Sequence, residues 1–242
     1  MEGPGVYLIK ESLQFLMNKT ILKVSGNTKE NKEILIGKKV VDIKSHGKRL
    51  IFEFEKIYLI IHFLMYGSLR INDKRDRKSE RLSLKFDDNE INFYNTSIKI
   101  VEKNKFSFSD DNDIMSRNFN KEKAKEKIKN SNRLITDLLL DQEIFAGVGN
   151  IIKNEALFRA KIHPLSIGNK IYDKAIEKLI EELISFSYEF YLSRKFKEPI
   201  KNKLKIYGKK FCSNSSEKVK IKYLGETKRK TYFCESCQIL YM

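Results

Sequence analysis

The sequence predicts an α+β chain of two domains: an N-terminal β-sandwich with a flanking helix, then a helical domain that ends in a small β tail. Three observations predict it. Short segments rich in Ile, Val, Phe and Tyr, separated by turn signals, recur through the first hundred residues. Helical periodicity takes over beyond a polar linker at 107–120. All three cysteines lie in the last 31 residues, where the pattern is β-like again. These shifts put the sandwich at 1–110, a linker and entry segment at 111–130, the helical domain at 131–207 and the cysteine-bearing hairpin at 208–242.

The elements follow in order. Leu8, Leu13, Leu16 and Met17 predict a helix from about Tyr7 to Met17. Strands are expected at Val40–Ser45, Arg49–Glu55, Tyr58–Phe63, Ser68–Ile71, Leu82–Phe86, Glu90–Tyr94 and Ile98–Val101. Gly37, Gly47, Gly67, Asn72-Asp73 and Asp87-Asp88-Asn89 supply the turns between them. Lys121–Lys129 reads as a charged helix, and Ser131 is a candidate cap for the next one. Ser166 is a candidate cap for a long helix whose stripe is Ala175, Ile176, Leu179, Ile180, Leu183 and Ile184.

Lys and Arg number 48 against 32 acids, a formal charge of +16, which favours a polyanionic partner or an acidic membrane surface. A chain rich in Lys, Ile and Asn also carries many lysines simply as solvated surface. No apolar run of about 18 residues is present to span a bilayer. The start, Met1-Glu2-Gly3-Pro4, is not a basic stretch leading into an apolar secretory segment. Three clustered cysteines are not a disulfide framework and favour a metal or inert-thiol role. The expectation is an intracellular, cytoplasmic protein without an organic cofactor, acting as a monomer.

The most specific stretch is Leu138 to Pro164, LLLDQEIFAGVGNIIKNEALFRAKIHP. Leu134, Leu138 and Ile135, Leu139 recur at helical spacing before the glycines; Ile151, Glu155, Leu157 and Phe158 continue in register afterwards. Gly147 and Gly149 permit a sharp turn and close backbone approach. Asn150 and the backbone N–H groups that open the new helix then favour a phosphate. Periodicity alone is equally compatible with an ordinary helical hairpin. The full string resembles, almost residue for residue, the helix–two-turn–helix signature of the formamidopyrimidine-DNA glycosylase / endonuclease VIII family.

The resemblance extends to the start, where Met1-Glu2-Gly3-Pro4-Gly5 is similar to the endonuclease VIII-like branch. That family uses an N-terminal proline amine as nucleophile, followed by a catalytic glutamate. Here no proline stands between Met1 and Glu2, so Met1 occupies the nucleophile's place. An α-amino group titrates at about 7.7–8.0, leaving a reactive fraction near neutral pH. The resemblance therefore implies that the Met1 amine attacks C1′ while Glu2 shuttles protons. A further acid of the family would fall near Gly5 and is lost.

Ser45-His46-Gly47-Lys48-Arg49-Leu50 resembles the family's Gly-Lys hairpin, which implies a catalytic, phosphate-contacting Lys48. Leu59 to Arg70 resembles its His-Leu-Gly-Met-Ser-Gly strand and turn. It places Met65 where a side chain fills the gap left by an extruded nucleotide, and His62 reads as structural. The Arg and Phe that invade the duplex in the formamidopyrimidine branch have no counterpart at Asn95-Thr96-Ser97-Ile98-Lys99. Weak discrimination of the opposite base, or preference for single strands, is the expected consequence.

In the tail, Cys212, Cys234 and Cys237 are similar to the family's four-cysteine zinc hairpin, with Ser215 in place of the fourth cysteine and 18 residues between Ser215 and Cys234. Two outcomes stay open: structural zinc on three thiolates, or a zincless hairpin held by Phe211, Tyr223, Tyr232 and Phe233. Arg229, five residues before Cys234, falls where the family grips the lesion phosphate; strand alternation separates it from Lys228 and Lys230. The resemblance implies a DNA clamp in which Lys48, Asn150 and Arg229 bind the phosphates, Met65 wedges, and the damaged nucleotide flips toward Met1 and Glu2. The implied function is a DNA repair glycosylase and abasic-site lyase of base-excision repair, acting on double- or single-stranded damaged DNA. A catalytically inactive damaged-DNA-binding protein of the same fold is the alternative. A generic RNA-binding protein explains the charge but not the helical signature.

Overall fold

The computed structural model describes residues 1–75 and 80–242. They divide into two compact units: Met1 with 5–108, and 2–4 with 109–242.

Helix α1 (Gly3–Ser12) begins four residues before the expected start. Pro4 is compatible with this, because a first-turn residue has no intrahelical partner for its N–H. The expected second half is a separate 3-10 turn, Gln14–Leu16. The first unit is a six-stranded antiparallel sheet of order β1-β5-β6-β4-β3-β2. Its strands are β1 (Lys23–Ser25), β2 (Asp42–His46), β3 (Arg49–Glu53), β4 (Ile57–Ile71), β5 (Leu82–Lys85) and β6 (Glu90–Glu102). Strand β1 carries no alternating signal in the sequence; pairing with β5 recruits it.

Two pairs of expected strands are each one long strand. Strand β4 runs for 15 residues and β6 for 13, and their pairing shifts register between Phe63 and Ser68. A shift of this kind bends a strand pair, so one sheet forms both leaves of a sandwich. Leu50, Phe52, Leu59 and Ile61 from one half meet Leu82, Leu84, Ile91 and Phe93 from the other in a single core.

The second unit contains α2 (Lys121–Lys129), α3 (Ile135–Leu138), α4 (Asn150–Arg159), α5 (Asp173–Lys195) and the hairpin β7 (Lys220–Leu224) with β8 (Arg229–Phe233). Helix α2 matches its expected bounds, with Asn120 Oδ1 capping Lys123 N–H. Neither serine caps as expected. Helix α3 starts after Leu134, and Ser131 Oγ instead accepts from Arg133 N–H within its own turn. Helix α5 starts after Tyr172, and Ser166 Oγ accepts from Tyr241 N–H (3.1 Å), tying down the C-terminal segment. The core of this unit joins α2, α4 and α5 through Ile128, Ile152, Ala156, Leu179, Leu183 and Phe186. No helix of the described residues is long and apolar enough to cross a membrane.

Candidate functional site

In the second unit, the glycine turn delivers the chain into α4. Gly147 adopts φ +100°, a conformation that L side chains rarely adopt, and its carbonyl accepts Gly3 N–H at 2.9 Å. Gly149 is extended (φ −119°), so its reason is space rather than strain. A Cβ there would lie 2.3 Å from the carboxyl carbon of Glu2.

The Glu2 carboxylate fills that space. Its Oε1 accepts from Ile151 N–H at 2.8 Å and its Oε2 from Ile152 N–H at 3.2 Å. Two orphan donors of the helix start are thus satisfied by an acid, with the positive end of the helix dipole behind them. This corrects the expectation that these N–H groups await a phosphate: at Ile151 and Ile152 the protein's own carboxylate takes that place. Asn150 stands beside them, half-buried, and donates Nδ2–H to Lys230 O at 2.9 Å.

The next three residues of α4 are polar and buried, and each holds the C-terminal segment. Lys153 Nζ donates to Thr231 Oγ1 (2.9 Å). Asn154 Oδ1 accepts from Tyr232 N–H (2.7 Å). Glu155 accepts from the N–H groups of Lys205, Ile206 and Tyr207 at 2.8–2.9 Å. Burial pulls the Lys153 ammonium down to about 8; the carboxylates of Asp137 and Glu2 oppose that shift and the Arg229 charge adds to it. Asp137 Oδ1 holds the hairpin turn by accepting Glu226 N–H at 3.0 Å, and burial pushes its carboxyl up. Sequence reasoning missed Lys153, Asn154 and Glu155 as a set. The available signal was a polar triplet inside an otherwise apolar helix, which fits a helix buried all round better than an amphipathic one.

Arg229 opens β8 and is exposed. Lys228 is in the turn, with φ +45°, and the Lys230 ammonium lies over the Tyr232 ring, 5.4 Å from its centre. Strand alternation therefore leaves Arg229 on the face of Thr231, the residue that Lys153 grips.

The hairpin's sulfur atoms form a compact group. Cys212, Cys234 and Cys237 Sγ lie within 4.8 Å of one another, and the Cys212–Cys237 separation is 3.6 Å. Tetrahedral zinc with Zn–S bonds near 2.3 Å has S–S edges of about 3.8 Å. Asn214 N–H points at Cys212 Sγ (3.4 Å), and Ser215 Oγ lies 3.3 Å from Cys234 Sγ. The donor set fits a metal ion, and three close cysteines can bind one.

In the first unit, Lys48 follows Gly47 in the two-residue turn joining β2 to β3, where His46 pairs with Arg49. The Met1 amine lies 3.4 Å from Phe63 O on β4. His62, beside it in sequence, is half-buried; burial holds its imidazole low, and the positive charges of Met1, Lys48 and Arg49 hold it lower still. Met1 and Lys48 thus belong to the surroundings of one imidazole. Farther along β4, the register shift raises Leu64, Met65 and Tyr66 into solvent, 43%, 67% and 85% exposed. Tyr66 adopts φ +63°, and Asn95 Nδ2 bonds the Met65 carbonyl. Met65 is therefore a tip residue rather than core, and Tyr66 is a second exposed apolar group that the sequence reading did not single out.

The model of the formamidopyrimidine-DNA glycosylase N-terminal domain matches residues 2–99, and that of the formamidopyrimidine-DNA glycosylase H2TH domain matches 111–187. Endonuclease 8-like 3 of Xenopus laevis is 31% identical over 90% of the chain, and that of Mus musculus is 33% identical over 81%. The chain spans only 38% and 34% of those curated relatives' lengths. Formamidopyrimidine-DNA glycosylase of Oceanobacillus iheyensis is 30% identical over 74% of the chain and 72% of the relative. Among solved structures, a viral DNA glycosylase superposes with a TM-score of 0.87 at 24% identity, covering 99% of this chain and all of that one. The Lactococcus lactis enzyme in complex with abasic-site DNA gives 0.85 at 24%, with the same coverage. At that identity the likeness establishes the fold.

Proposed function

The chain belongs to the formamidopyrimidine-DNA glycosylase / endonuclease VIII family, and from that premise we propose that it is a DNA glycosylase with abasic-site lyase activity, working on damaged DNA in base-excision repair. The observation that carries the reading is the Glu2 carboxylate seated on the N–H groups of Ile151 and Ile152. It is a fixed acid–base group, one peptide bond from the amine of Met1.

In the proposed reaction the unprotonated Met1 nitrogen attacks C1′ of the damaged nucleotide. The bond from C1′ to the base breaks, and the base leaves with a proton. Ring opening gives an imine between Met1 and C1′, which acidifies the hydrogen at C2′. Loss of that proton expels the 3′ phosphate by elimination, and Glu2 carries protons at these steps. A primary amine suffices, so the missing proline does not forbid the chemistry.

The DNA contacts proposed for the other residues follow their chemistry. Lys48, set in a tight turn, and exposed Arg229 meet phosphates. Asn150 offers the second N–H of its amide, the first being spent on Lys230 O. Met65, with Tyr66, fills the space of the extruded nucleotide. Domain roles are the catalytic sandwich at 1–110, the entry segment at 111–130, the helix–two-turn–helix domain at 131–207 and the hairpin at 208–242. Zinc is the proposed metal at Cys212, Cys234 and Cys237. It would brace the hairpin that carries Arg229 and take no part in bond breaking.

Borohydride reduction on abasic-site DNA tests the reaction. The covalent adduct should map to the Met1 nitrogen, in a protein whose intact mass places Met1 first. An added N-terminal segment should abolish the adduct, and Glu2→Gln should lower incision by about 10²-fold or more. Undiminished trapping on the extended protein would sink the mechanism.

A further inference from the structure

We propose that the metal centre of the hairpin is completed by the carboxylate of Glu217, giving a site of three thiolates and one carboxylate, a reading that rests on zinc binding at the cysteines. The family pattern directs attention to Ser215, which stands at the spacing of the fourth cysteine. A neutral serine hydroxyl is a poor zinc ligand, whereas carboxylate oxygens are ordinary ones at about 2.0–2.2 Å.

The loop brings Glu217 back toward Cys234. Its carbonyl accepts Cys212 N–H at 2.7 Å, Ser216 N–H bonds Cys212 O at 3.0 Å, and Ser216 takes φ +59° to make the turn. Glu217 Oε2 lies 4.0 Å from Cys234 Sγ and accepts from Ser236 Oγ at 2.8 Å. A sulfur–oxygen edge in a tetrahedral zinc site is about 3.5 Å. The carboxylate is thus half an ångström too far from Cys234, on an exposed and rotatable side chain. Ser236 Oγ, itself 3.4 Å from Cys234 Sγ, holds the carboxylate toward the cluster. Charge points the same way. Lys218, Lys220 and Lys222 follow Glu217 within five residues, and Lys220 pairs with Phe233, the neighbour of Cys234; cationic surroundings favour an anionic fourth ligand over a neutral one. Ser215 then serves as a donor to thiolate sulfur, a role that orients a ligand without being one.

Zinc content, zinc affinity against a competing chelator, and the visible spectrum of the cobalt(II)-substituted full chain separate the assignments. The wild type should bind about one zinc per chain. Glu217→Gln should weaken zinc at least tenfold and shift the tetrahedral cobalt bands, with the thiolate-to-cobalt transitions kept. Ser215→Ala should leave affinity within about threefold and the spectrum unchanged. Ser215→Cys should restore a four-thiolate site in which Glu217→Gln has no further effect. Zinc loss in Ser215→Ala, with Glu217→Gln silent, overturns the assignment and leaves zinc binding standing. Absence of zinc and of cobalt uptake in the wild type overturns zinc binding itself, and the Glu217 assignment with it.

Discussion

The start of α4 and the tip of β4 hold the side chains proposed for function in opposite ways. At α4, Glu2, Asn150, Lys153 and Asn154 each hydrogen-bond to a partner in the second unit, Lys153 and Asn154 while buried. At the tip, Leu64, Met65 and Tyr66 are exposed, and backbone shape with one hydrogen bond from Asn95 to the Met65 carbonyl presents them. A group that must stay in one place is fixed by donors and acceptors whose loss costs the full desolvation penalty. A group proposed to enter space vacated by an extruded nucleotide gains from standing without packing, because packing would have to be broken before it could act. Stability and function should therefore be coupled at α4 and uncoupled at β4.

The comparison breaks most sharply at Gly149→Ala. The new Cβ takes the space of the Glu2 carboxyl group, so the carboxylate must leave the Ile151 and Ile152 N–H groups. Incision of damaged DNA should fall about 10²-fold, as for removal of an acid–base group, with about 1.5–3 kcal/mol lost in denaturant unfolding. Full activity with unchanged stability would show that the carboxylate can act elsewhere.

Lys153 sharpens the same contrast through pH. In the unfolded chain a lysine titrates near 10.4, whereas burial brings Lys153 to about 8 in the fold. Between those values the unfolded state binds more protons, so this residue's contribution to stability rises with pH. Below about pH 8 both states are charged, and the fold bears the whole cost of the buried ammonium. Relative to Lys153→Met, the wild type should gain roughly 3 kcal/mol between pH 8 and 10.5 in urea unfolding. A difference that stays flat over that window would mean that the ammonium is hydrated.

The smallest effects belong to the tip. Met65→Ala and Tyr66→Ala should each change stability by less than about 0.5 kcal/mol, as exposed substitutions do. Each should slow incision of a lesion in duplex DNA by about threefold to tenfold and leave single strands unaffected, since extrusion there needs little wedge. Equal losses on both substrates would assign the tip to general DNA binding.

Much of the molecule was legible in its residues. The charged helix α2 was bounded correctly because Asn120 and its charge pattern are local signals. The turn Ala146-Gly147-Val148-Gly149-Asn150 was legible because glycine chemistry is local too. Strand β1 was not, since its pairing with β5 comes from 58 or more residues away. Ser131 and Ser166 misled because a serine before an apolar run advertises a cap, while neighbouring chain offered those hydroxyls other partners. In the candidate site, Met65 and Arg229 could be named only through the family resemblance, and their exposure could not be read at all.

Sequence by itself determined the order of elements, the two-unit plan and the residue types available for chemistry, because propensity, periodicity and turn preference act over a few neighbours. Tertiary structure decided who occupies the helix start: Glu2, not a ligand, takes the N–H groups of residues 149 and 150 positions away. It also decided that Lys153, Asn154 and Glu155 hold the hairpin, and that Glu217 rather than Ser215 offers the charged oxygen beside the cysteines. Hydrogen bonds and desolvation depend on distance in space, and distance in space is set only when the whole chain has packed.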